Sequence, residues 1–358
     1  MKASRLSNRI YVCHTFYHVY ITILKEFALG INNDDKATIL LSTMSINYHS
    51  MPSRLRDSGL FKEVIMFDEK HRSFFPELDF FNYDQGNIVK NMFARIQFTK
   101  LLAKLTTPYI PVDFKNYDEI YVYCDSDPIG FYLNKNKIHY HAIEDGLNCL
   151  KDIDTARYDN KGAFKIKKLM SSLNLIFIQN GYGKYCIDME VNDISVLKYT
   201  HKKYIEAPRK DLVNRLTAEE KVILMSIFIE DINALKNSVL NINNSNESVI
   251  ILTEPLCDLD TRKTIFTDII NEYCEGKIAI IKQHPRDELN YKEIFPDLIL
   301  LDKTIPMELL NFFGENRFDL VVSVLTQIDS ITFAKEKIML GMNFLDKYED
   351  LDKHNFTI

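Results

Sequence analysis

RIYVCHTFYHVYITILKEFAL, residues 9–29, decides the fold. RIYVC (9–13) is a short apolar, β-branched run that reads as a buried strand, and a helical pattern follows at 16–29. The same alternation continues. ATILLS (37–42), EVIMF (63–67), EIYVYC (119–124) and KIHYHAI (137–143) read as further strands, with an amphipathic helix over 86–105. Near-continuous apolar runs of this kind belong to parallel sheets covered on both faces. The first half is therefore expected to be a Rossmann-type α/β domain.

Residues 155–215 change character. KGAFKIKKLMSSLN is basic and helical, and Thr217-x-x-Glu220 resembles a capping box before a long helix. This stretch reads equally as a linker, a dimer element or part of the first domain. After the polar loop 241–248 the alternation resumes, with strands at SVIILT (248–253), KIAIIKQ (277–283), DLILL (297–301), DLVVS (319–323) and KIMLG (337–341). The expected organisation is two Rossmann-like α/β domains in series, 1–205 and 206–358.

Composition narrows the function. The 358 residues are 46% hydrophobic and 26% charged, an ordinary globular balance. A formal net charge of -6 with no run of Lys and Arg argues against nucleic-acid binding. No apolar stretch approaches the roughly 20 residues that span a bilayer, and the first 20 residues do not read as a signal peptide. The six cysteines contain no CxxC pair, so free thiols in a reducing compartment, the cytoplasm, are expected.

In doubly wound sheets, ligands bind outside the carboxyl ends of the strands, here in a cleft between two facing sheets. The first strand is followed by HTFYH, with His14 and Thr15. The fifth ends in Glu144-Asp145-Gly146, with Asn148 just beyond. Two adjacent carboxylates before a glycine suit a general base whose pKa is raised by its neighbour, and equally an ordinary polar turn. SVIILT leads through Thr253 and Glu254 to Asp258 and Asp260, a DxD spacing that is weak evidence for a metal. KIAIIKQ, with Lys282, leads to His284-Pro285-Arg286. His284 is held stiffly by the proline and has cations on both sides, which suits an acid that protonates a departing phosphate oxygen. Glu308 opens an expected helix after Pro306. Ser323 and Thr326 stand before another expected helix, where they read as phosphate donors or as plain N-caps. There is no glycine-rich phosphate loop, and no His pair has convincing metal-ligand spacing.

AIEDGLN, ILTEPL, KQHPRD and SVLTQ, in this order at successive strand ends, together with the opening IYVCHTFYHVYITILKE, resemble the bacterial sialyltransferases of glycosyltransferase family 52 and the capsule-polymer sialyltransferases. The resemblance spans about residues 9 to 340. It implies a GT-B fold, the donor CMP-sialic acid, inversion at the anomeric carbon, no metal or cofactor, and a galactose-terminated bacterial surface glycan as acceptor. It also implies His284 as general acid, Asp145 as general base with Asp258 or Asp260 as the alternative, Glu308 on the ribose hydroxyls, and Ser323 and Thr326 on the phosphate or the sialyl carboxylate. A lipid-linked acceptor brings the chain to the inner membrane face. Lys90, Arg95, Lys100 and Lys104, and Lys161, Lys165, Lys167 and Lys168, suit peripheral contact there, or simply face solvent. A homodimer is a further expectation from the family. The competing readings are another GT-B glycosyltransferase, a nucleotide-sugar epimerase and a non-catalytic capsule-assembly protein.

Overall fold

A computed structural model describes residues 8–30, 35–151, 153–233, 235 and 247–348; most of the polar loop at 241–248 lies outside them. The chain divides into two compact units, Met1–Thr217 and Ala218–Ile358.

The first unit is built on seven strands: β1 (Arg9–Cys13), β2 (Thr38–Ser42), β3 (Glu63–Phe67), β4 (Glu119–Tyr123), β5 (Tyr140–Ile143), β6 (Cys186–Val191) and β7 (Tyr204–Glu206). Their order is β3-β2-β1-β4-β5-β6-β7, and every neighbouring pair is parallel. β1 and β2 are buried at every position, as their unbroken apolar runs require. The helix α1 (Phe16–Leu29) starts where the hydroxyl of Thr15 accepts the N–H of His18, and stops at Gly30 in the left-handed conformation. Helix α2 (Met51–Asp57) joins β2 to β3, a long helix, α3 (Ile88–Thr106), leads into β4, and α4 (Pro128–Lys135) joins β4 to β5. The chain thus winds outward from β1 to β3 and restarts on the other side at β4. The reversal lies between β1 and β4, the switch point beside which sheets of this kind bind ligands.

Residues 155–215 belong to this unit. They supply α5 (Thr155–Tyr158), α6 (Phe164–Ser172), β6, β7 and α7 (Arg209–Asn214). β6 escapes sequence reading because Asp188 and Glu190 interrupt CIDMEV. Both charges are compensated, one within the sheet and one from α1: Asp188 accepts from His141 Nδ1 at 2.7 Å, and Glu190 pairs with Lys25. β5 starts at Tyr140 rather than Lys137 because Lys137 sits at φ 59° and turns the chain into the strand.

The second unit has five parallel strands in the order β10-β9-β8-β11-β12. They are β8 (Ser248–Leu252), β9 (Ile278–Lys282), β10 (Ile299–Leu301), β11 (Phe318–Ser323) and β12 (Ala334–Met339). Here the reversal falls between β8 and β11. The helix Leu259–Tyr273 lays Ile265, Phe266 and Ile269 into the core under β8 and β9. One expectation fails. No helix follows β11, because residues 324–333 turn directly into β12, a crossover too short to hold one. The helix expected at Glu308 is a 3-10 turn, Met307–Phe313.

Candidate active site

In the first unit, the loops leaving β1, β4 and β5 converge on Asp145. Its Oδ1 accepts Nε2–H of His18 at 2.8 Å and the thiol of Cys124 at 2.6 Å, and its backbone carbonyl accepts from the same His18 nitrogen at 2.8 Å. The tautomer of His18 is fixed by its other nitrogen. Nδ1 accepts the backbone N–H of His14 at 3.0 Å, so the proton must lie on Nε2. His18 is fully buried, stacks on Tyr123 with ring centroids 4.3 Å apart, and is held neutral, its pKa lowered chiefly by burial. Cys124 reaches Asp145 from a strained backbone at φ 49°, where a non-glycine residue is uncommon. Burial and the adjacent Asp145 hold its thiol well above the ordinary range, so it stays a donor.

Desolvation works against charge on Asp145, but the bonds from His18 and Cys124 and the charge of His14 outweigh it. The carboxyl is held well below the usual carboxylate range. Its side chain is 56% exposed, and Oδ2 has no hydrogen-bond partner among the described residues. The geometry therefore presents one anchored oxygen and one open oxygen on a permanently ionised group.

Glu144 is not a partner in this. It is buried on the other side of the strand end, where Oε1 accepts the N–H of Asn192 at 2.8 Å and lies 3.8 Å from Arg209. Burial pushes Glu144 up to about 7, with Arg209 and Asn192 opposing. The adjacent pair was expected to raise the pKa of Asp145; instead the buried member rises and the exposed one falls. Gly146 is not the sharp turn either. Its φ lies outside the left-handed region, and an added Cβ would come no nearer than 3.9 Å to other atoms. The left-handed residue is Asn148, at φ 54°, whose Oδ1 accepts from the side chain of Asn192.

Behind Asp145 lies a second layer. Nε2–H of the buried His14 donates to Glu69 at 2.8 Å and stands 3.5 Å from Asp127. Burial disfavours the imidazolium, but the charge and hydrogen bond of Glu69 prevail and raise His14 to about 9. Glu69 is itself fixed by Ser42 and by the N–H of Ile129. Asp127, pushed up to about 7 mainly by burial, completes the group. Ligand atoms of His14, His18 and Cys124 come within 4.8 Å of one another. A metal there would need the lone pair of His18 Nε2, which carries the proton as long as Nδ1 accepts from His14.

In the second unit, the strand ends bring Lys282, His284 and Arg286 close together in sequence and space. The backbone N–H of His284 donates to Thr253 Oγ1 at 3.1 Å, and its Nδ1 accepts the N–H of Arg286 at 3.1 Å, which again leaves Nε2 with the proton. Burial, Arg286 and Lys282 lower His284 to about 4. Pro285 keeps His284 out of the α region. Lys282 is buried, donates to the carbonyl of Gln283, and is lowered to about 8 by burial against the pull of Asp302 and Glu308. Burial raises Glu308 in turn, against the charge of Lys282. Beneath the loop, buried Asp287 accepts from Arg262, Tyr291 and the N–H of Leu289.

Two expectations change here. The free N–H groups after β11 are already occupied: the buried Glu254 carboxylate accepts from Val324, Leu325 and Thr326 at 2.7–3.2 Å. The Thr326 side chain also bonds Glu254, and the Ser323 hydroxyl donates to the carbonyl of Thr326. In addition, Asp258 is the N-cap of the helix Leu259–Tyr273, accepting the N–H groups of Asp260 and Thr261 and the Thr261 hydroxyl. Asp260 lies in the first turn of that helix, and both are exposed. Capping explains the DxD without a metal.

The residues missed by sequence reading are His18, Cys124, Glu69, Asp127 and Arg209. The one available signal is the i, i+4 spacing of His14 and His18 across a Thr N-cap. It turns both rings toward the carboxyl end of β1.

Comparison with known proteins identifies the family and the fold. The profile of glycosyltransferase family 52 matches residues 37–338. An uncharacterised Haemophilus influenzae protein is 28% identical over 134 residues, which span 36% of this chain and 41% of that relative. An α/β-galactoside α-2,3-sialyltransferase from Photobacterium phosphoreum superposes with a TM-score of 0.54 at 12% identity, covering 94% of this chain and 91% of that one. A 2,6-sialyltransferase from a Photobacterium species, solved with the donor product CMP and the acceptor lactose, gives a TM-score of 0.58 at 12% identity, with 93% and 71% covered. The fold is that of these GT-B enzymes, and the chain belongs to glycosyltransferase family 52.

Proposed function

We propose that the chain transfers sialic acid from CMP-sialic acid to a hydroxyl of a terminal sugar, with inversion and without a metal. The observation that carries the reading is Asp145: ionised, anchored through Oδ1 and open at Oδ2 at the carboxyl end of β5. It is the general base. As the glycosidic bond to CMP loosens, positive charge develops on the sugar, and the incoming hydroxyl becomes acidic enough for a weak but always available carboxylate. His18 and Cys124 act through Asp145 and are positioning residues.

The donor belongs to the second unit. Lys282 and Arg286 supply positive charge for one phosphate, and Glu308 takes the ribose hydroxyls. His284 protonates the departing phosphate oxygen through Nε2. Its lowered pKa in the unliganded protein stems from burial and two cations. A bound phosphate reverses that local charge and brings the imidazolium back toward neutral pH. A monophosphate leaving group asks for less charge neutralisation than a diphosphate, which these side chains can provide. The acceptor is a galactose-terminated glycan of the bacterial surface. The reaction takes place in the cytoplasm, a location supported by six cysteines outside any disulfide.

The test is CMP release from CMP-sialic acid in EDTA, with and without galactose-terminated acceptors. Acceptor-dependent release that is lost in His284→Ala and Asp145→Ala supports the reading. Transfer retained in Asp145→Ala would move the base to Asp258 or Asp260. Wild type that neither binds nor releases CMP would direct the search to another nucleotide sugar.

A further inference from the structure

One face of the first unit is built unlike the rest of the chain. α3 and α6 share a small core in which Met92, Ile96 and Phe164 pack against Met170, Ile176 and Tyr182. With those side chains turned inward, α3 points Val89 and Phe93 outward, 58% and 63% exposed. α6 and its C-cap residue do the same with Ile166, Leu169 and Leu173, spaced i, i+3, i+7 and each more than half exposed. Five large apolar side chains on adjoining helices exceed the scattered surface hydrophobics of an ordinary monomer.

Charge follows the same face. In a protein of net charge -6, residues 88–107 contain four cations and no carboxylate, and residues 161–173 contain four lysines and no carboxylate. Arg72, Arg95 and Lys167 crowd together. Burial and Arg72 lower Arg95, and burial and Arg95 lower Lys167. None of the three is in an ion pair among the described residues. Asp159, the carboxylate that favours Arg95, is engaged by Gln179.

We propose that the α3–α6 face docks on an anionic lipid surface, with the cations on headgroups and the apolar side chains in the boundary layer below them. Charge complementarity selects this occupant. A second copy meeting the face about a twofold axis would set cations against cations. A free phosphate would satisfy the cations and leave the apolar side chains in water. A lipid interface uses both. The inference is independent of the transfer chemistry, since an inactive protein still docks and a soluble acceptor is still processed when docking fails.

The experiment is co-sedimentation of the full chain with phosphatidylcholine vesicles, with and without about 30% phosphatidylglycerol, alongside light scattering for mass. Binding is expected only with the anionic lipid, and it weakens with salt. The pair Lys165→Glu/Lys168→Glu should lose at least about twentyfold in partitioning, from roughly fivefold per cation. Phe93→Asp/Leu169→Asp should lose tenfold or more. In both variants, thermal stability and transfer to soluble acceptors stay as in wild type. Absent or equal binding to both vesicles overturns the proposal. A dimer that Phe93→Asp/Leu169→Asp dissolves would reassign the face to a second copy. Full displacement from vesicles by millimolar inorganic phosphate would reassign the cations to that ion.

Discussion

Replacing His18 by phenylalanine isolates the imidazole nitrogens from the ring. Phenylalanine can keep the stack on Tyr123 but neither donates to Asp145 nor accepts from His14. Asp145 then keeps Cys124 as its one side-chain donor on Oδ1. A hydrogen bond to a charged group contributes roughly 1.5–3 kcal/mol. One pKa unit corresponds to about 1.4 kcal/mol. The Asp145 carboxyl, below the ordinary carboxylate range in wild type, should therefore titrate about one to two units higher, which carbon NMR of the carboxyl in acid reads directly. At neutral pH Asp145 stays ionised in both proteins, so a fall in kcat there reports lost orientation of the base; about tenfold, or roughly 1.4 kcal/mol, is expected. Acceptor-dependent CMP release at neutral pH measures the rate. The orphaned N–H of His14 costs about 1–3 kcal/mol of stability, so melting temperature is recorded in parallel. The decisive control is the double variant with Asp145→Asn, where the His18 change should have almost no further effect on rate. An unmoved carboxyl titration, or a full additional loss in the Asp145→Asn background, would refute the claim that His18 acts through Asp145.

Asp258→Ala should cost about 1 kcal/mol of stability, the usual loss of an N-cap, and leave CMP release intact; a collapse of transfer at unchanged stability would make Asp258 the base. Glu254→Gln presents amide hydrogens to N–H groups that need an acceptor. It should lower the melting temperature by an amount equivalent to about 1–3 kcal/mol, and an unchanged melt would show that the 324–326 turn does not depend on the carboxylate. For pH, His14 has a folded pKa of about 9, above its unfolded value near 6.5. Its contribution to stability is complete below the unfolded value and is lost as pH rises through about 9. The wild-type melting temperature should fall across that window, and His14→Gln should remove that part of the slope; parallel curves would assign the slope elsewhere.

The parts of the fold legible in sequence are those where burial is uniform. RIYVC and ATILLS read directly as strands because consecutive apolar residues in a short run have few other uses. CIDMEV did not, because its acids have partners on β5, α1 and α7 that the local sequence does not show. The absence of a helix after β11 was hidden for a related reason. Ser323 and Thr326 look like caps until Glu254, some seventy residues earlier, is seen to fill the nest of N–H groups. In the site, Asp145 and His284 were visible from their position at strand ends. The pKa split between Glu144 and Asp145 was not, because it depends on His18 and Cys124 donating to Asp145 while Glu144 is buried on the other side. Cys124 likewise looked like a buried thiol, and only the register of β4 against β5 brings it to the carboxylate.

The locked tautomer of His18 also constrains what happens after the bond is made. An imidazole with one nitrogen accepting from a backbone amide and the other donating to Asp145 has no vacancy for another proton, so it cannot relay one inward. On the proposed reading, the hydrogen taken from the acceptor stays on Asp145 and leaves from Oδ2, which has no hydrogen-bond partner among the described residues. A product still bound beside Oδ2 would delay that loss, so the base would be regenerated only after product has gone. Turnover would then end with a deprotonation timed by release, and a solvent isotope effect on the steady-state rate should appear only where release is fast.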